Sequence, residues 1–193
     1  MKKLLILLIF ALPFSVHAQG MIVMLSLDLK NNNEIDAKYF RDLTLPENLK
    51  SNDNHQYGYH TTIGYINNVP EDEHAALREV IEENLKKQIN FPVTFDYGAS
   101  AILGREKLFV VLLPENPGIF QQYNKLLVET LKNYKNGKYK LVRYSQTKSF
   151  IPHISLAAKV HENIKVEELP TLLKKLNERL NGVKFEFTEF IVR

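Results

Sequence analysis

A histidine, one intervening residue and a hydroxyl residue occur together twice in this sequence, as His60-Thr61-Thr62 and as His153-Ile154-Ser155, each time inside an apolar run. On an extended strand, residues two apart point to the same face, so each tripeptide would offer one imidazole and one hydroxyl side by side. Ile63, Ile154 and Leu156 would then turn into the core. Two such strands facing each other would surround a small space with two imidazoles and two hydroxyl donors. That set suits the cleavage of a phosphodiester. One neutral imidazole takes the proton of the attacking water or hydroxyl, and a protonated one gives a proton to the departing oxygen. Histidine alone has an unperturbed pKa that lets both forms coexist near neutrality. Thr62 and Ser155 would donate hydrogen bonds to the non-bridging oxygens, where charge accumulates in the transition state. The scheme requires no metal and no other cofactor.

A single His-x-Ser or His-x-Thr is a weak signal, because a lone histidine in a strand is more often a satisfied structural residue. The repetition is what gives it weight. The remaining histidines offer less: His74 falls on a helix among acids and is expected to be solvated, His161 begins a loop, and His17 lies in the amino-terminal segment. His55 could join the two motif histidines at a metal, yet no carboxylate in the motifs completes a usual ligand set. Four aromatic residues lie close to the motifs in sequence: Tyr57, Tyr59, Tyr144 and Phe150. Tyr57 and Tyr144 flank polar loops and are candidates for stacking on a base, whereas Phe150 sits in an apolar approach and is expected in the core. Arg143 and Lys148 could hold a further phosphate, Arg143 in bidentate fashion.

The surroundings of the second motif are basic. No Asp or Glu stands between Thr130 and His161, while Lys132, Lys135, Lys138, Lys140, Arg143, Lys148 and Lys159 all fall there. Such a stretch predicts a local positive field that attracts phosphates, the plainer alternative being a solvated lysine-rich hairpin.

The elements that must position these groups are legible from periodicity. Ile22 to Leu29 alternates as a strand with Val23, Leu25, Leu27 and Leu29 on one face; a helix is expected from about Asn33 to Leu43, then a polar loop from Pro46 to Tyr57 and a strand from Tyr59 to Ile66. Glu71 to Gln88 has Leu77, Val80, Ile81 and Leu85 at helical spacing, with Glu71, Asp72 and Glu73 where a helix amino end favours negative charge. Strands follow from Phe91 to Ala101 and Lys107 to Leu113 around a Gly104 turn. A second helix carries Phe120, Tyr123, Leu127 and Leu131 and ends near Asn136-Gly137. Strands are expected again from Lys138 to Tyr144 and from His153 to Val160. A third long helix aligns Leu169, Leu172, Leu173, Leu176 and Leu180 ahead of Gly182, and Val183 to Val192 closes the chain as a strand.

Composition sets the bounds. Lys2 and Lys3 precede an apolar run from Leu4 to Phe14 and the small-residue stretch Ser15-Val16-His17-Ala18, which together predict an export signal at residues 1–18, cut after Ala18. The run is too short for the roughly 20 residues that span a bilayer, so stable membrane insertion is not expected after cleavage. The remaining chain, 19–193, suits a single two-lobed domain in a periplasmic or secreted location. The sequence contains no cysteine, which excludes a disulfide framework and thiol catalysis and leaves hydrophobic burial to hold the fold. The formal net charge of +3 falls close to neutral once the two leader lysines are gone, so only the distribution of charge is informative. A monomer is the default expectation.

Phe150-Ile151-Pro152-His153-Ile154-Ser155-Leu156-Ala157 resembles the second signature of the two-histidine phosphoesterase superfamily, which includes the 2′-5′ RNA ligase-like and cyclic nucleotide phosphodiesterase proteins. Tyr59-His60-Thr61-Thr62-Ile63-Gly64-Tyr65-Ile66 resembles its first. The resemblance implies an α+β fold of two lobes related by a pseudo-twofold axis, with antiparallel strands lining a central groove and helices outside. It implies His60 and His153 as acid and base, in an order it does not assign, and Thr62 and Ser155 as phosphate binders. Two features depart from the pattern: the family usually has an apolar residue where Thr61 stands, and most members lack an export signal. The function expected is metal-independent hydrolysis of a 2′,3′-cyclic or 2′-5′ phosphodiester in a nucleotide or short RNA. The alternative is a non-catalytic nucleotide- or RNA-binding protein on the same fold.

Overall fold

Val23, Leu25 and Leu27 are fully buried on one face of β1 (Ala18–Leu27), as their alternation requires. The computed structural model describes residues 18–27, 50–51, 59–103, 107–160 and 167–193. Among the described residues six further strands, β2 (Lys50–Ser51), β3 (His60–Pro70), β4 (Val93–Leu103), β5 (Lys107–Pro114), β6 (Ile154–Val160) and β7 (Lys184–Val192), join β1 in one antiparallel sheet of order β2-β6-β5-β4-β7-β1-β3. The long strand β4 divides its pairing. Val93–Asp96 bond to β7 and Tyr97–Leu103 to β5, so one strand belongs to both halves. The expected two-lobed α+β architecture is thus present, with the lobes β3-β1-β7 and β2-β6-β5 joined through β4. Although β3 and β6 stand far apart in the sheet order, their Cα atoms approach within 8 Å.

Three helices among the described residues cover the sheet where the apolar stripes require. The helix α1 (Glu71–Lys86) buries Leu77, Ile81 and Leu85; α2 (Gly118–Asn133) buries Phe120, Leu127 and Leu131; and α3 (Leu169–Leu180) buries Leu172, Leu176 and Leu180. Phe120 is fully buried, its ring centroid 4.4 Å from Phe95 and 6.3 Å from both Tyr97 and Phe187. Burying a side chain of this size stabilises by about 2–3 kcal/mol. The helix α3 serves a smaller cluster with Val110 and Ala157 on the second lobe. Gly182, just past α3, takes the left-handed φ of 74° that a helix stop favours and that side chains other than glycine resist.

Several expectations are corrected. β1 begins at Ala18 rather than Ile22, and β3 runs beyond Ile66 to Pro70, because Asn68 at φ 58° absorbs an irregularity and lets Gln19 pair with Val69. Within the stretch expected as a polar loop, Lys50 and Ser51 pair with Ala158 and Ala157 and extend the edge of β6. Lys138 to Tyr144 is not a strand. Leu141 makes an isolated bridge to β3 at Ile66, and the chain then turns through a 3-10 helix at Arg143–Ser145. The expected helix 33–43, the Gly104 turn, His55, Tyr57, His161 and the residues before Ala18 lie outside the described residues.

The basic stretch is also less free than its composition implies. Glu73, in the first turn of α1, accepts bonds from Lys138 Nζ at 2.6 Å and Tyr139 Oη at 2.6 Å, and Lys135 Nζ stands 2.9 Å away. The missing acid arrives from another element. These bonds, that from Lys138 foremost, hold the Glu73 carboxyl down to about 2. A depressed carboxylate stabilises the fold at pH values above its unfolded pKa and loses that contribution as pH falls through the folded one. The stability gap between the wild type and Glu73→Gln is therefore expected to be full above about 4.5 and to close by about 2, as read from thermal midpoints measured across that range. A gap that stays constant with pH would show that the charge of Glu73 is not what anchors Lys135 and Lys138. His74, expected to be solvated, instead bonds the Val69 carbonyl through Nε2 at 3.0 Å, closing the junction between β3 and α1.

Candidate active site

The two tripeptides are built alike in detail. On β3, Thr61 pairs with Leu25 and Thr62 with Met24, and then Ile63 is an extra residue before Gly64 pairs with Val23. On β6, Ile154 pairs with Leu112 and Ser155 with Val111, and then Leu156 is an extra residue before Ala157 pairs with Val110. Each motif is thus a histidine, a core residue, a hydroxyl residue, a bulge and a small core residue. A bulge re-aims the side chains around it and ends regular pairing, which is why bulges collect beside functional sites. His60, Thr62, His153 and Ser155 are all half-buried, and Thr61 and Ile154 between them are buried. The four groups expected to act together therefore sit at partly open positions on, or directly before, the two strands that approach each other.

The second motif differs in one respect from the expected strand. His153 precedes β6, and its ring Nδ1 bonds the Ile151 carbonyl at 2.8 Å. A carbonyl only accepts, so Nδ1 carries the proton, and in the neutral ring Nε2 is the acceptor. Burial lowers the His153 pKa below the usual imidazole value, against the smaller opposing effect of the Ile151 carbonyl. Leu156, expected in the core beside Ile154, is the bulge residue and only partly buried; Ala157 takes the core position instead.

Sequence reasoning overlooked two residues that shape this region. The first is Asn124 on α2, fully buried, whose Nδ2 donates to the Ile63 carbonyl at 2.7 Å and to the Ser145 carbonyl at 2.8 Å, while Thr147 Oγ1 donates to its Oδ1 at 3.0 Å. It ties the bulge of β3 to the turn at Arg143–Ser145. A polar residue four after Phe120 and three before Leu127, inside an apolar helical stripe, was the readable signal. The second is Tyr65. Strict alternation from Thr62 would put Gly64 on the motif face and Tyr65 in the core, but the bulge at Ile63 reverses the phase. Gly64 lies against Leu127 and Leu141, and Tyr65, half-buried, shares the face of Thr62 with its ring over Gly20. A Cβ at Gly20 would overlap that ring, so any other residue there would have to displace the Tyr65 side chain.

Of the flanking candidates, Tyr144 is 67% exposed and neighbours Tyr65, whose hydroxyl, after partial burial, helps push the Tyr144 phenol up. Arg143 and Lys148 are exposed, Arg143 on the same turn as Tyr144 and Lys148 on the turn that follows it. Phe150 is buried as expected, and so is Tyr59, which removes it from the surface aromatics. With Lys135 and Lys138 engaged by Glu73, the exposed cations of the basic stretch include Lys132, Lys140, Arg143 and Lys148.

No protein-family model and no curated protein sequence matches the chain. Among solved structures, Usb1 of Kluyveromyces marxianus is similar with a TM-score of 0.53 and 12% identity over 90% of this chain and 93% of that one. TT0787 of Thermus thermophilus is similar with a TM-score of 0.51 and 14% identity over 90% of this chain and 84% of that one. At such identities the likeness concerns the fold, and it spans both lobes. The fold of this chain is thus like that of these two structures.

Proposed function

We propose that this chain is a metal-independent phosphoesterase that opens a 2′,3′-cyclic or 2′-5′ phosphodiester in a nucleotide or short RNA, with His60 and His153 as its acid and base. The observation that carries the reading is the doubled arrangement of half-buried histidine, half-buried hydroxyl and bulge on two strands whose Cα atoms come within 8 Å. In the proposed reaction His153 is the base. Its Nδ1 proton is engaged by the Ile151 carbonyl and its burial favours the neutral ring, so Nε2 is free to take a proton from water. That water forms a new bond to phosphorus, the bond to the ester oxygen breaks, and His60 delivers a proton to the oxygen that leaves. Thr62 and Ser155 donate to the non-bridging oxygens. In this reading Tyr65 and Tyr144 stack on a base, and Arg143 and Lys148 hold a neighbouring phosphate. The export signal expected at residues 1–18 would extend the proposal to a protein working outside the cytoplasm, in a periplasm or beyond the cell.

The test is turnover of a panel of 2′,3′-cyclic nucleotides, cyclic-phosphate-ended RNA and 2′-5′ oligoadenylate in the presence of EDTA. Product formation is the expected result; binding without product would favour the non-catalytic alternative. The assignment of the base carries its own signature. On the acid side kcat/KM rises with pH as His153 loses its proton, and the midpoint of that limb is expected below the ordinary imidazole value of 6.5. An acid limb centred above 6.5 would hand the base role to His60.

A further inference from the structure

Thr61 stands between the two functional positions of the first motif but faces the opposite way. Its side chain is fully buried, and its Oγ1 lies 3.0 Å from the hydroxyl of Tyr97, itself only 3% exposed. The equivalent position of the second motif holds the apolar Ile154, so the core tolerates a hydrocarbon there and the hydroxyl of Thr61 is a departure that must be satisfied. Tyr97 occupies a special place. Asp96 before it pairs with β7 and Tyr97 pairs with β5, so the residue marks the point where β4 passes from one lobe to the other. Its ring is fixed edge-on against Phe185 at 5.5 Å and Phe120 at 6.3 Å. Burial holds its phenol protonated. In the sheet β1 and β7 separate β3 from β4, so the bond crosses the core between strands that share no ladder. The strand β3 is also in need of such a tie: it ends the sheet order, and the extra residue Ile63 interrupts its ladder two residues after Thr61.

We infer that the Thr61–Tyr97 hydrogen bond is a positioning device that holds His60 in register with the lobe carrying His153. The inference rests on the proposed two-histidine chemistry, in which both rings must meet one phosphorus and small misplacements are costly. A bond serving stability alone makes a different prediction, and the double variant separates the two. Thr61→Val leaves the Tyr97 hydroxyl buried without a partner, and Tyr97→Phe does the same to Thr61, so each single variant should melt a few degrees below wild type. Thr61→Val with Tyr97→Phe removes both polar groups and should return the melting temperature close to that of wild type. A positioning role predicts that kcat in the double variant nevertheless stays about tenfold low with KM little changed, and that Thr61→Ser, which keeps the hydroxyl, retains wild-type kcat. It also predicts that the His60 ring resonances of the double variant shift in an NMR spectrum while those of His153 stay in place. Recovery of wild-type kcat together with stability, or an unmoved His60 resonance, would overturn the inference. Absence of turnover in the wild type would sink the phosphoesterase reading instead, and the His60 resonance would still decide whether the bond positions that ring.

Discussion

Replacing His60 or His153 with alanine is expected to lower kcat at least about a hundredfold while leaving the fold intact, since a positioned acid or base contributes roughly a hundred- to ten-thousandfold. Both rings are half-buried at the ends of strands rather than packed in the core, so their loss removes little buried surface. The two are also expected to be non-additive. With one histidine gone, the other no longer has a partner for the second proton, so the double variant should be scarcely slower than either single one. Steady-state rates on the best substrate of the panel, with circular dichroism as the control for folding, decide the matter. A wild-type rate from either single variant ends the two-histidine proposal, and additive losses would show that the rings act in separate steps.

The largest expected loss of stability comes from a residue that touches no substrate. Asn124→Ala orphans the Ile63 and Ser145 carbonyls and the Thr147 hydroxyl together. At about 1 kcal/mol per bond, the cost is about 3 kcal/mol, and the melting temperature should fall by roughly 6–12 °C. Asn124→Asp is the sharper test because it keeps the shape and the acceptor for Thr147 but loses both donors. A buried carboxylate without a counter-charge is worse than a cavity, so this variant should be the less stable of the two at neutral pH and regain stability as acid neutralises it. If Asn124→Asp melts with the wild type, the two carbonyls have other partners and Asn124 does not anchor the Arg143 turn. In folded protein at saturating substrate, either variant should keep most of its kcat, which separates this anchoring role from chemistry.

The helices were the most legible part of the fold. Val80 with Leu77, Ile81 and Leu85, and Leu169 and Leu173 with Leu172, Leu176 and Leu180, mix odd and even spacings that share one face on a helix but not on a strand, and Leu77, Ile81, Leu85, Leu172, Leu176 and Leu180 are buried. Most of the strands were legible in kind but not in their ends. β3 continues through Asn68 because β1 offers partners as far as Ala18, and a partner strand is invisible to a periodicity argument. Lys138 to Tyr144 read as a strand because Tyr139, Leu141 and Val142 suit one. Tertiary contacts overrode that preference: Val142 N–H donates to Tyr65 O, Asn124 captures the Ser145 carbonyl, and Glu73 holds Lys138 and Tyr139. No local pattern carries interactions between residues 66 or 80 positions apart.

The sequence by itself determined which side chains could do chemistry, because a histidine and a hydroxyl two residues apart on a strand must share a face whatever surrounds them. It also determined the buried stripes of three helices, and the resemblance carried by the two motifs supplied the expectation of two like halves. Only the tertiary structure decided that the strands β3 and β6 approach, that a bulge after each hydroxyl turns Tyr65 to the motif face, and that Thr61 reaches Tyr97 across the core. The reason is physical: side-chain direction is a local consequence of backbone period. Bulges, cross-core bonds and the neutralisation of a charged stretch depend instead on which distant residue fills the space opposite.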